Sequence, residues 1–68
     1  MSSQLERVAT KSFNHWLEEG NGNMLAARSL FAEWVNENSP HITPSSKDSW
    51  KTLVLAIDWC FRDAGYVP

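Results

Sequence analysis

Apolar side chains recur along this chain at steps of three and four, first at Leu5, Val8, Ala9, Phe13, Trp16 and Leu17. At about 100° per residue these positions form one stripe, which predicts an amphipathic helix over residues 3–19. Its start carries the capping-box pattern Ser-x-x-Glu, with Ser3 as N-cap and Glu6 reaching back to it. Gly20 is the expected stop, in the left-handed position that glycine favours just past a helix. "GNGN", residues 20–23, is then a turn, and Asn23 is placed to cap a second helix.

That helix is expected over residues 24–38, with Met24, Ala27, Leu30, Phe31, Trp34 and Val35 on its inner face. Arg28, Ser29, Glu33, Asn36 and Glu37 fall on the outer one. So short a turn sets the first two helices side by side, antiparallel or steeply crossed. "NSPHITPSS" ends the second helix, because the residue before Pro40 is pushed out of helical dihedrals. Pro44 adds a second break, Ser45 or Ser46 is expected to cap a third helix, and Ile42 is expected to pin the loop to the core.

The third helix, over residues 46–64, is apolar over more of its circumference than one packing face needs. Trp50, Leu53, Val54, Ile57, Cys60, Phe61 and Ala64 make a wide core stripe. Leu55 and Trp59, four positions apart, lie on the other side among Asp48, Lys51, Thr52, Arg62 and Asp63. Two readings of this pair stand open. Tyr66, Val67 or the N-terminal segment covers it, or it is an exposed anchor for a partner or a second copy, with Lys51 and Arg62 as a charged rim. Gly65 is the expected helix stop, with Tyr66 and Val67 folding back. There is no strand pattern, so the fold expected is an all-α, compact three-helix bundle forming a single domain over residues 1–68.

Composition changes this picture in one respect. A chain of 68 residues is close to the lower limit for an independent core, and its single cysteine, Cys60, excludes an internal disulfide. Four tryptophans, three phenylalanines and one tyrosine supply the missing burial, at roughly 150–250 Å² for each large ring. A lone thiol suits a reducing compartment, and no signal pattern or membrane-length apolar run occurs, so a cytoplasmic protein is expected. The Met start and the globular character of the last residues suggest a complete chain.

Charge sets the remaining expectations. The formal net charge is −2, which weighs against a partner bound through phosphates. Glu18, Glu19 and Glu37 sit near helix C-termini and Lys47 near an N-terminus, each opposing the helix dipole. Glu18 and Glu19, with Glu33 and Glu37, are either an acidic contact patch for a basic partner or a solvated surface that tolerates small penalties.

No pattern carries chemistry. His15, His41 and Cys60 match no metal spacing, and His15 falls at the edge of the first stripe. Cys60 lies among Ile57, Trp59 and Phe61, where a buried, inert thiol is expected. Asp58 and Asp63 diverge on a helix and make no acid–base pair, whereas Asp58 and Arg62 are spaced for an i,i+4 salt bridge. "GNG" comes after a helix and is no phosphate loop. No cofactor, no metal and no enzymatic activity are therefore expected.

Two functions remain. The first is a small non-enzymatic protein-interaction module, such as an inhibitor, adaptor or accessory factor of the kind mobile genetic elements carry. It would act through Leu55, Trp59, Lys51 and Arg62 on a protein partner or as a homodimer. The alternative is a DNA-binding module of helix-turn-helix type, with Ser46, Lys47 and Lys51, beside Ser45 and Ser49, contacting nucleic acid. The second connection, with its two prolines, is longer than that motif's 3–4-residue turn.

Overall fold

The computed structural model describes residues 4–67, and the expected Ser3 cap lies outside them. Three helices are present: α1 (Gln4–Glu19), α2 (Met24–Asn38) and α3 (Lys47–Asp63). A tight turn joins the first two, and two short 3-10 turns, Ser39–His41 and Pro44–Ser46, join α2 to α3. Among the described residues there is no strand, and the all-α three-helix bundle read from the pattern is the fold observed.

The helix ends follow local chemistry, with three corrections. Ser39, before Pro40, keeps helical dihedrals (φ −54°, ψ −41°), and α2 passes into a 3-10 turn that carries the proline near its start. After α1, the Gly22 N–H donates to the Leu17 carbonyl at 2.8 Å and the Asn21 N–H to the Glu18 carbonyl at 3.0 Å. This pair of bonds is a Schellman motif. The left-handed residue in it is Asn21 (φ 55°), with Gly22 (φ 78°) next, and not Gly20. Asparagine tolerates that conformation, which leaves Gly20 free for another task. Gly20 is buried, and a Cβ there would lie 2.7 Å from the Ala27 backbone nitrogen. It is a glycine because α2 crosses directly against it.

Asn23 caps α2 as expected, its Oδ1 accepting from the Ala26 N–H at 3.1 Å. Gly65 (φ 103°) ends α3 in a second Schellman turn, with the Tyr66 N–H donating to the Phe61 carbonyl at 2.9 Å. Ser46 stands at the start of α3, but its hydroxyl caps nothing, because its backbone is helical rather than extended (φ −100°, ψ −3°). The hydroxyl instead accepts a hydrogen bond from Thr43 Oγ1 at 3.1 Å.

The core is small and aromatic. Ala9, Ala27, Phe31, Ile57 and Phe61 are buried, with Phe13, Trp16, Trp34, Leu53 and Tyr66 packed around them. Phe61 meets Phe13 edge-on at 4.8 Å between ring centroids and stacks on Phe31 at 5.7 Å. The series continues through Trp16 and Trp34 at 5.9 Å to Trp34 and Trp50 at 5.0 Å. Such ring pairs contribute about 0.5–1.5 kcal/mol each beyond area burial. They explain how the chain folds without a disulfide.

Not every stripe residue reaches this core. Val8 and Ala64 are exposed and Ile42 is half-buried outside the core cluster. Arg28, expected to look outward, is half-buried and turned across the helix. Its guanidinium carbon sits 5.2 Å from the Phe31 ring centroid, 5.9 Å from that of Phe61 and 5.7 Å from that of Tyr66.

The α1 backbone runs close to both other helices, whereas those of α2 and α3 approach each other at few points and meet through long side chains, from Arg28–Asp58 through Phe31–Phe61 to Trp34–Trp50. The described molecule is accordingly a flattened body of 34 × 32 × 19 Å.

Candidate docking groove between α2 and α3

Wide spacing between the α2 and α3 backbones leaves their outer seam open. At its base Trp34 and Trp50 touch, and Trp50 Nε1 donates to Ser39 Oγ at 3.0 Å. That bond ties α3 to the end of α2, while the proline turns hold the loop to one side. The cleft beside them has a volume of about 680 Å³. Val35, Ile42, Pro44, Trp50, Val54 and Leu55 form its apolar lining, with Ser39, Lys47 and Lys51 at the margin. A second hollow of about 260 Å³ shares Val35, Val54 and Leu55 with the first. It runs on past Ala32 to Arg28 and Asp58. The shared residues set the two hollows side by side along the helix seam, together termed the groove.

The two ends of the groove differ electrostatically. At one end Asp58 forms salt bridges with Arg28 (Nη2–Oδ1, 3.1 Å) and with Arg62 (Nε–Oδ2, 3.5 Å), the second being the expected pairing and the first one across the helices. Arg28 Nε is buried with no hydrogen-bond partner, so aromatic faces and one carboxylate carry this cation. At the other end Lys47 and Lys51 are exposed, one turn apart, and neither makes a salt bridge among the described residues.

Of the predicted contact residues, Leu55 and Lys51 line the groove, whereas Trp59 and Arg62 line neither hollow. Leu55 is 57% exposed and forms part of the groove wall; Trp59, one turn on, is 67% exposed. With both side chains more than half exposed, neither Tyr66 nor Val67 covers the pair. Lys51 lines the cleft and Arg62 reaches its far end through Asp58. Glu18 and Glu19 are exposed but line neither hollow, and Glu19 lies 3.9 Å from His15. Of the nucleic-acid candidates, Lys47 and Lys51 lie on the groove, while the Ser46 hydroxyl is engaged by Thr43. The α2 wall (Ala32 and Val35), the loop residues Ile42 and Pro44, and the inward turn of Arg28 are parts of the site that sequence reasoning misses. A small Ala32 beside Val35 on the flank of α2 is the one signal that points to them.

Other reactive groups are accounted for locally. Cys60 is half-buried rather than buried, and burial pushes its thiol up. A hydrogen bond with Thr10 works in the opposite direction, and nearby Asp63 adds to the rise. The thiol is therefore protonated at neutral pH and a poor nucleophile. His15 is more exposed than an edge-of-core residue, leaning edge-on against Trp16 at 4.8 Å. Among the described residues no three His, Cys, Asp or Glu side chains converge as metal ligands, and no helix is long and apolar enough to cross a membrane. The chain matches no family model, and comparison with curated proteins and with solved structures returns no significant match.

Proposed function

We propose that this protein is a small non-enzymatic interaction module, of inhibitor, adaptor or accessory type, that acts by occupying a site on another protein. The observation that carries this reading is the exposure of Leu55 and Trp59 beside an apolar groove, while the other tryptophans are packed. A large aromatic and a leucine next to an apolar hollow, flanked by Lys51 and Arg62, have the anatomy of an interface hot spot. Self-association through the same surface is one form it can take. An intracellular setting belongs to the same proposal, resting on the free Cys60 thiol.

Affinity capture from the native host with the parent and with Trp59→Ala tests the reading. The parent should retain specific proteins, or its own untagged copies, that Trp59→Ala loses while its thermal unfolding stays unchanged. Identical captured sets would contradict it. The DNA-binding reading has the free Lys47 and Lys51 in its favour, but the apolar lining of the groove and Asp58 within it are poor surroundings for phosphates.

A further inference from the structure

We infer that the groove between α2 and α3 takes an amphipathic helix of a partner protein whose apolar anchors are flanked by carboxylates. This rests on the interaction reading and names the chemistry of the occupant.

Charge is the first ground. The chain is acidic overall, yet all four basic residues of α2 and α3 gather here: Arg28, Lys47 and Lys51 line the groove and Arg62 reaches its Asp58. They face a single lining carboxylate, Asp58, already shared between two arginines. Lys47 and Lys51 have no salt-bridge partner of their own among the described residues. A segment that brings carboxylates to this margin completes two ion pairs beside an apolar contact. One that brings lysines meets like charge, which costs affinity and slows encounter.

Backbone chemistry is the second ground. The lining between the two charged ends is apolar, so an extended peptide laid there would leave its N–H and C=O groups unsatisfied. No strand edge is offered among the described residues to pair with it. A helix satisfies its own backbone and presents anchors at i, i+3 or i+4, and i+7. At about 1.5 Å per residue, α3 from Lys47 to Asp58 spans about 16 Å, enough for three turns of such a helix.

A second copy of this chain is a poorer occupant. Its exposed large apolar residues are Val8, Leu25, Leu55, Trp59 and Val67 among those described, and outside Leu55 and Trp59 no two share a helix face. It has no three-anchor stripe to donate.

Two synthetic helical peptides test the proposal, with one shared stripe of three leucines and either glutamates or lysines flanking it. Each is titrated into isotopically labelled protein, with chemical shifts and calorimetry as readouts. The glutamate peptide should shift Ile42, Val54 and Leu55 and bind at least about tenfold tighter than the lysine peptide, by an advantage that shrinks with added salt. The exposed double variant Lys47→Glu/Lys51→Glu should reverse the order of the two peptides. Equal binding, shifts confined to another surface, no binding at millimolar peptide, or saturable duplex DNA binding at these lysines would overturn the occupant. If the peptides fail while Trp59→Ala still strips partners in the capture experiment, the interaction reading survives and only the occupant is wrong. If the capture is insensitive as well, both fall.

Discussion

On its inner side α3 presents Ile57 and Phe61, which are fully buried against α1 and α2. On its outer side, within the same stretch, it presents Leu55 and Trp59, both more than half exposed. The residue types are alike, so hydrophobicity alone does not separate them. The difference is whether a neighbouring helix arrives. α1 closes over the inner face and brings Phe13 against Phe61, whereas α2 stands farther from α3, meets it through long side chains and leaves the outer seam as a groove. The inner aromatic network holds the fold, and the outer pair is spare to it.

That contrast can be broken from the inside first. Phe61→Ala removes the ring that contacts Phe13, Phe31 and Tyr66, and should cost about 3–5 kcal/mol, read by urea unfolding. In so small a domain this is a large share of total stability. Gly20→Ala is the next largest. The new methyl would meet Ala27 backbone rather than a movable side chain, so α1 and α2 must separate slightly. Overpacking of this kind costs about 1–3 kcal/mol. The lower entropy of the unfolded alanine chain returns about 0.4–1 kcal/mol, leaving a clear net loss. A stabilised Gly20→Ala protein would contradict the close approach of the two helices.

Much of the inner region is legible in the chain itself. Asn23 and Gly65 mark helix boundaries by local chemistry, and the Phe31 and Phe61 stripes come from helical spacing alone, whereas Ser39 stays helical in spite of Pro40. The features that are not legible depend on contacts distant in sequence. Arg28 turns inward because Asp58 and three aromatic rings wait on other elements. Gly20 yields the left-handed position to Asn21 because α2 needs the space above it. Ser46 fails to cap because the turn begun at Pro44 holds its backbone helical. For the candidate site, the Leu55–Trp59 pair can be read from one helix, but the groove beside it cannot. It is made by the distance between two helices and by a loop whose prolines set its path.

The claim that fold and contact surface are separable is tested most directly by equilibrium urea unfolding of the double variant Leu55→Ser/Trp59→Ser. Both side chains are more than half exposed, and surface changes of this kind fall within about 0.5 kcal/mol each, or about 1 kcal/mol for the pair. The unfolding free energy of the double variant is expected to stay inside that margin. A loss approaching that of Phe61→Ala would mean that the outer pair belongs to the core after all, and would contradict it.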